Sequence, residues 1–434
     1  MTEVTALFET RTHNGSAHAQ QYLQGLLSQL PAKNMERMEE GLSGVKEQDL
    51  QQFLSDSPWS SQMAWQWAGQ RANELLGGQR HSMLLIDESA HAKKGKMSVG
   101  VARQHNGRLG KTDNCQVGVY AALALGTRAT LTGCRLYLPQ EWVENPQRCR
   151  DAGMPEEAIR FRTKLELAQE LVVEAQAHGM EFAWVGVDAG YGRDQGCLSW
   201  VEDRGLGFVA DVPQDLLVWE ERPEWSERPV QLKARGARKV GALGQGWMAA
   251  GQGQRITLRT GENGPVQVKV WARRVWVWPA GQAQPRQWWL VVRQDRDGQI
   301  KHTLCNAPAQ TGLQELAVLQ GGRHFVERSF EDAKSHVGMG DYQVRKWLGW
   351  HHHMALVGLA MFFVLQERLL AERTHPRLSV RDVVELMSWH FLAHPSLETL
   401  LEVMRRRHRR RTQLMQAAVK RGKRLRKGNK TVPS

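Results

Sequence analysis

The first part of the chain repeats apolar residues at intervals of three and four. The segments SAHAQQYLQGLLSQLP and VKEQDLQQFLSDSP both follow this spacing, which places the apolar side chains on one face of an α-helix. Residues 1–75 are therefore predicted to form a helical region.

From residue 82 the apolar pattern changes to that of strands. MLLID is a short apolar run. The segments SVGVARQ and CQVGVYAALAL have the alternating residue pattern of strands and lie on either side of a turn at Asn106 and Gly107, as in a β-hairpin. ATLTGCRLYLP adds a further strand. This part of the chain therefore predicts the antiparallel beginning of a sheet.

Helices and strands alternate in the middle of the chain. An amphipathic helix is predicted at 163–179, where Gly179 ends it. The apolar strand FAWVGVDAGYG follows, then a helix at about 194–204 and the strand LGFVADVP. Residues 214–300 differ, because they hold eight of the 17 tryptophans and consist of apolar runs separated by turns. A β-rich insertion is predicted there.

The region after the insertion is predicted to be helical. An amphipathic helix is expected at 323–338 and a long apolar helix at about 345–372. The apolar run MALVGLAMFFVL is shorter than the roughly 20 residues that cross a bilayer, so a buried helix and no membrane partner are predicted. This order of elements predicts an α/β fold, in which a mixed sheet flanked by helices forms an RNase H-like domain.

The positive charge is concentrated near the end of the chain. The net charge is +13, and residues 401–434 hold 13 Lys and Arg residues against one acidic residue. Such a block is typical of a segment that binds phosphate groups, although a solvated tail has the same composition.

The five scattered cysteines form no CxxC pair, and no secretory signal is visible. Both observations predict a cytoplasmic protein.

Two aspartates have the same position relative to an apolar strand. Asp87 and Asp188 are each the first polar residue after an apolar run, where burying an unpaired charge is unfavourable. If the strands are parallel neighbours, both carboxylates lie at one edge of the sheet and need a cation between them. Their oxygens suit Mg²⁺ or Mn²⁺, and a pair of such ions supports phosphodiester cleavage. The alternative is that each Asp only caps the following segment.

A third acid lies on the predicted helix at 323–338. Arg323, Glu327, Glu331 and Lys334 fall on one helical face. Glu327 can then reach a metal ion, while Arg323 and Lys334 hold phosphates beside it. Ordinary i,i+4 ion pairs on a solvated face are the alternative.

These residues resemble a known family. RHFVERSFEDAK is similar to the C-terminal signature of bacterial insertion-sequence DDE transposases, Y-x2-R-x3-E-x6-K, with Arg323, Glu327 and Lys334 at the matching positions. DESAHAKKGKMSVGVARQHNGRLGKTDNCQVGVY, RLYLPQEW, FRTKLELA and VGVDAGYGRD also look like blocks of that family. Two positions depart from it. Gln320 stands where the signature has tyrosine, and Glu88 follows the first aspartate, where close relatives often have a second Asp.

The resemblance implies an RNase H-like catalytic domain in which Asp87, Asp188 and Glu327 bind Mg²⁺ or Mn²⁺. It further implies a nucleoid-associated enzyme that binds the terminal inverted repeats of an insertion sequence, cleaves double-stranded DNA and transfers the strands to a target. The synaptic complex is expected to contain a homodimer. No nucleotide cofactor is expected, because GRLGKT lacks the first glycine of a P-loop and lies between two predicted strands.

The predicted DNA contacts are basic residues, which neutralise backbone phosphates. They are Arg323, Lys334, Lys93, Lys94, Lys96, Arg405, Arg406, Arg407, Arg409, Arg410 and Arg411.

Five segments are predicted along the chain. They are a helical N-terminal domain suited to DNA-end recognition (1–78), the first part of the catalytic domain (79–213), the β-rich insertion (214–305), the catalytic part with the Glu327 helix (306–372) and a helical basic C-terminal region (373–434). Two other functions stay open: a non-catalytic, transposase-derived DNA-binding regulator, and an RNase H-like nuclease without strand transfer.

Overall fold

The computed structural model is an α/β structure in which helices flank a large mixed sheet, with a second sheet of two short strands, which confirms the predicted class. It describes residues 2–11, 13–107, 110–261, 264–375 and 378–392, with positions 398, 401, 404, 405, 408, 409, 412, 413, 415–417 and 420.

The N-terminal region is helical, as predicted. After a 3₁₀ helix at Thr2–Phe8 it contains α1 (Ser16–Leu26), α2 (Met35–Gly41), α3 (Glu47–Ser55) and α4 (Ser61–Leu76). Ser60 is the N-cap of α4, and its hydroxyl accepts the backbone N–H of Met63, the usual arrangement of an N-cap serine.

The strands begin at residue 83. They are β1 (Met83–Ala92), β2 (Ala102–Asn106), β3 (Lys111–Leu125), β4 (Arg128–Leu136), β5 (Trp184–Val187), β6 (Gly207–Val212), β7 (Leu217–Val218), β8 (Arg238–Lys239), β9 (Gln254–Gly261), β10 (Gly264–Val277), β11 (Arg286–Gln294) and β12 (Ile300–Cys305).

The other helices follow β4 along the chain. They are α5 (Gln140–Val143), α6 (Pro146–Asp151), α7 (Lys164–Ala177), α8 (Ala189–Gly192), α9 (Gln195–Glu202), α10 (Val240–Ala249), α11 (Leu313–Gly322), α12 (Phe325–His336), α13 (Trp347–Leu370) and α14 (Val380–Phe391).

The main sheet has ten strands in the order β2-β3-β1-β5-β6-β12-β11-β10-β9, with β4 paired to β3. β1, β5 and β6 are parallel, whereas β3 and β12 run antiparallel on either side of them. Strands β9–β12 of the β-rich region therefore extend the same sheet, because β12 pairs with β6. The segment boundaries stay a prediction.

Local signals set the bounds of α7. Its N-cap Thr163 and Glu166 form a reciprocal capping box, which satisfies backbone N–H groups at the helix start. Gly179 has φ 74°, the left-handed conformation in which glycine ends a helix. The predicted helix at 163–179 is thus confirmed.

Helix α13 is the central core helix. By length and composition it is apolar enough to span a membrane, but 89% of its most apolar window is buried inside the protein. Its His352 ring stacks on Trp59 and lies 2.9 Å from the carbonyl oxygens of Leu54 and Trp59. The N-terminal helices are therefore bound to the same core as the sheet.

Strand β1 is longer than the predicted run MLLID, and the expectation that Asp87 stands at its end was wrong. Asp87 is the fifth of ten residues, because β1 stays paired with β3 as far as Ala92 and Cys115. Pairing with β5, however, stops at Ile86 and Val187. Asp87 therefore lies where β1 and β5 separate, at the predicted edge of the parallel strands.

Candidate active site

Three aspartates lie side by side, two of them on the parallel strands β1 and β6 and the third directly after β5. Ile86 of β1 pairs with Val187 of β5, and Val187 pairs with Ala210 of β6. The next residues are Asp87, Asp188 and Asp211. Because neighbouring strands are about 4.8 Å apart and side chains alternate between faces, the three carboxylates form one row on one face of the sheet.

The other face of β1 carries Glu88. Its carboxylate pairs with Lys164 Nζ of α7 at 2.5 Å. The second acid of the sequence DE therefore points away from the row of aspartates, as strand alternation requires.

Helices α11 and α12 bring Arg323 and Glu327 to the row. We expected both residues on one helix, but Arg323 is the residue after α11, and α12 begins at Phe325. Arg323 packs over β5 at Gly186, where an added Cβ would lie 3.6 Å from Arg323 Cγ. Glu327 is in the first turn of α12.

Arg323 is the central cation of the site. Its side chain is 6% exposed and contacts three acids. Nε forms an ion pair with Asp211 Oδ2 at 2.8 Å, Nη2 donates to Glu327 Oε1, and Nη1 lies 3.8 Å from Asp87 Oδ2. The last distance is too long for a hydrogen bond, so Asp87 is the least neutralised of the three.

One cavity of about 460 Å³ joins these groups. Its lining includes Asp87, Asp188, Asp211, Arg323 and Glu327. Residues of α10 and β12 form other parts of the wall: Gly241, Gln245, Met248, Ile300, Lys301 and His302. The three acids predicted from sequence are therefore brought to a single site.

Burial and charge separate the pKa values of the acids. Burial, followed by repulsion from Asp188, raises the pKa of Asp87 to about 7, although Arg323 and the Glu88 N–H act in the opposite direction. Burial also raises the pKa of Asp188. The hydrogen bond from His324, with further help from Arg323, lowers the pKa of Glu327 to about 2. Asp87 and Asp188 therefore lack sufficient positive charge nearby.

The donor set suits a hard divalent cation, which prefers oxygen ligands. Asp188 accepts the backbone N–H groups of Gly190 and Tyr191 with Oδ1 alone, so Oδ2 is available. The raised pKa of Asp87 indicates the same need for a cation. Among the residues described, no group of three or more His, Cys, Asp or Glu side chains is already arranged as a metal site, and Arg323 lies between the acids.

The lysines predicted to contact DNA have different surroundings. Lys93 donates to the carbonyl oxygen of Tyr342 and lies 3.3 Å from the centre of its ring, and burial lowers the pKa of Lys93 to about 8. Lys94 and Lys96 are exposed. Lys334 is half-buried on α12 and does not line the cavity.

Only part of the basic tail falls in the described chain. Arg405 and Arg409 are exposed helical positions. Arg406, Arg407, Arg410 and Arg411 lie outside the described residues.

Sequence reasoning missed two charged residues of the cavity. Asp211 follows the apolar run GFVA, the same pattern that identified Asp87 and Asp188, so a signal was present. Lys301 lines the cavity from β12, and its charge helps to lower the pKa of Glu327. Its segment was assigned to the insertion, and no local pattern connects it to the site.

Gly192 is expected to be essential for the position of Asp188. An added Cβ there would lie 2.0 Å from the carbonyl oxygen of Asp211, so Gly192→Ala must push α8 away from β6. We expect a loss of about 1–3 kcal/mol in the free energy of unfolding, as for other overpacked sites, measured by urea denaturation. Gly246→Ala in α10 is the control, because its added Cβ meets nothing within 4 Å. Equal stability of the two variants would contradict this close packing.

Comparison with known proteins gives the family. The sequence model of the family described as DDE superfamily endonuclease matches residues 6–265. The chain is 30% identical over 189 residues to the probable transposase for insertion sequence element IS701 of Microchaete diplosiphon. That match covers 43% of this chain and 46% of the relative, so the chain spans about half the length of this curated relative.

One solved structure, the NurA nuclease from Sulfolobus solfataricus, is similar over 69% of this chain and 85% of that chain, with 8% identity and a TM-score of 0.22. This similarity is too low to bear on the fold. The family match, in contrast, covers more than half of the sequence and includes Asp87 and Asp188. The chain belongs to the DDE superfamily of endonucleases.

Proposed function

We propose that this protein is the transposase of an insertion sequence, with an RNase H-like catalytic domain that cleaves and transfers DNA strands. The observation that carries the proposal is the row of Asp87 and Asp188 on adjacent parallel strands, with Glu327 lining the same cavity. The similarity to the IS701 transposase supports it.

Asp87, Asp188 and Glu327 are the residues that would hold Mg²⁺ or Mn²⁺. When bound, such ions activate a water molecule and stabilise the charge that develops on the phosphate. The protein's own groups supply the rest. Arg323 and Lys301 line the cavity beside the acids and are suited to bind phosphate oxygens of the DNA strand.

The proposed reaction has two displacements at phosphorus. In the first, a water oxygen attacks the phosphodiester at the element end, and the bond to the 3′ oxygen breaks, leaving a 3′-hydroxyl and a 5′-phosphate. In the second, that 3′-hydroxyl attacks a target phosphodiester and displaces a new 3′-hydroxyl. The same site serves both steps, since each is a transfer between oxygen nucleophiles.

Double-stranded DNA is the proposed partner at both steps. Lys94, Lys96, Arg405 and Arg409 are exposed and are proposed to follow its backbone. The other proposed backbone contacts are Lys93, Lys334, Arg406, Arg407, Arg410 and Arg411. We further propose a homodimer in the synaptic complex, no nucleotide cofactor and a location at the nucleoid.

The proposal predicts two DNA products. The protein is incubated with Mg²⁺, a plasmid target and a labelled duplex that ends in the DNA flanking its own reading frame. We expect a strand break that exposes a 3′-hydroxyl, followed by joined donor and target DNA on a denaturing gel. Cleavage without joining would identify a nuclease. Binding without cleavage in either Mg²⁺ or Mn²⁺ would identify a regulator and contradict the proposal.

A further inference from the structure

Asp211 differs from the other two aspartates of the row in how its oxygens are used. Oδ1 accepts a hydrogen bond from the hydroxyl of Thr303 at 2.7 Å, and Oδ2 forms an ion pair with Nε of Arg323 at 2.8 Å. Asp188, in contrast, uses only Oδ1 for its two backbone hydrogen bonds. Asp211 is therefore occupied on both oxygens, whereas Asp188 keeps one for another ligand.

The hydrogen bonds continue behind Asp211. Thr303 lies directly opposite it across β6 and β12, and its hydroxyl accepts Nε2 of Gln320 at 2.6 Å. Thr303 and Gln320 are 0% and 3% exposed. Two hydrogen bonds thus lead from Gln320 through Thr303 to Asp211, and the ion pair of Asp211 with Arg323 completes this buried chain.

This chain sets the orientation of the Arg323 guanidinium. Because the guanidinium is planar and rigid, the ion pair of Nε with Asp211 restricts its orientation. Nη2 is bonded to Glu327. Nη1 is buried and has no hydrogen-bond partner among the described residues, which is unfavourable unless a ligand supplies an acceptor. Arg323 also lines the cavity, so this unpartnered donor belongs to a side chain in the wall of the proposed phosphate site.

We propose that Asp211, supported by Thr303 and Gln320, is a positioning residue that holds Arg323 with Nη1 free for a phosphate oxygen of the DNA strand. The inference rests on the proposed function of the site. The proposal gives Gln320 a role through its side-chain amide, although the transposase signature has tyrosine at this position. It also distinguishes Asp211, with a contact on each oxygen, from Asp188, which uses only Oδ1 for its hydrogen bonds.

The first test compares variants at Thr303. Thr303→Val keeps the shape but removes the hydroxyl, which leaves Asp211 Oδ1 without its donor and Gln320 without its acceptor. We expect a loss of about 10- to 100-fold in kcat for strand cleavage, the range for residues that orient a ligand. Thr303→Ser keeps the hydroxyl and should retain more activity. Thr130→Val is the matched control, since Thr130 is buried and its hydroxyl has no partner in the described chain.

The second test asks whether Asp211 acts through Arg323. Asp211→Ala should lower kcat in the wild-type background but have no further effect in an Arg323→Met background. The affinity for Mn²⁺, measured by titration calorimetry without DNA, should change less than about twofold. A tenfold weaker affinity for Mn²⁺, or additive losses in the double variant, would overturn the proposal, because either result gives Asp211 a role independent of Arg323.

Thermal unfolding without DNA keeps this inference separate from the proposed reaction. Asp211→Ala should lower the melting temperature strongly when Arg323 is present, since it removes one of the counter-charges of a buried guanidinium. The loss should be much smaller in Arg323→Met. A wild-type protein that cleaves no DNA would refute the proposed function, while additive melting shifts would refute the pairing of Asp211 with Arg323.

Discussion

Replacing Asp188 by asparagine is expected to lower the rate of DNA strand cleavage by at least about 10³-fold, because a divalent ion supplies several kcal/mol of charge stabilisation. The change removes one charge and little else. Asp188 caps α8 by accepting two backbone N–H groups with Oδ1, and asparagine is an equally good N-cap residue. The fold and the affinity for DNA should therefore be retained. Single-turnover cleavage of an end-labelled duplex in Mg²⁺ measures the rate.

Asp194→Asn is the matched control for this prediction. Asp194 caps α9 by accepting the N–H of Cys197 at 2.8 Å, but it does not line the cavity. The variant should cleave DNA at the wild-type rate. If Asp188→Asn kept more than about a tenth of the activity, or if both variants lost it equally, Asp188 would have only its capping role.

The sequence predicted best those features that local interactions determine. The capping box at Thr163 and Glu166 and the left-handed Gly179 bound α7 where the pattern indicated. The aspartates at 87 and 188 were identified because each follows an apolar run. These signals are local, since they depend on residues a few positions apart.

The features that were missed depend on contacts between distant parts of the chain. Asp211 follows an apolar run like the other two aspartates, but its significance comes from the register of β6 with β5 and β12. Arg323 was expected on the same helix as Glu327, where it would hold phosphates. Its burial among Asp87, Asp211 and Glu327 depends on how the start of α12 packs over the sheet. No local pattern in the sequence encodes such packing.

Replacing Asp87 by asparagine is expected to stabilise the metal-free protein at high pH. Burial and the charge of Asp188 raise the pKa of Asp87 to about 7, from a usual value of about 3.9. Below about pH 4 the group is protonated in both the folded and the unfolded protein. As the pH rises to about 7, the unfolded chain releases this proton more readily, so stability falls. Asparagine has no charge to bury, and its Oδ1 can still accept the N–H of Glu88.

The size of the effect follows from the shift in pKa. A difference of about three pKa units corresponds to about 4 kcal/mol above pH 7 and about 2 kcal/mol near pH 5.5. Asp87→Asn should therefore exceed the wild type in the free energy of unfolding by about these amounts, measured by urea denaturation with a chelator present. Asp113→Asn is the control, because Asp113 accepts the N–H of the next residue in the same way at 2.8 Å but is only partly buried.

The response to Mg²⁺ connects this stability to the proposed chemistry. An ion that binds the ionised Asp87 offsets the unfavourable burial of its charge, and ligand binding to the folded state raises stability. Mg²⁺ should therefore raise the melting temperature of the wild type more near pH 8.5 than near pH 5.5, and should have little effect on Asp87→Asn at either pH. A shift by Mg²⁺ that is equal in both proteins would place the ion elsewhere. If the free energy of unfolding of the metal-free wild type does not decrease from about pH 5.5 to about pH 8.5, then the charge of Asp87 is already neutralised. Arg323 would be the group that balances this charge.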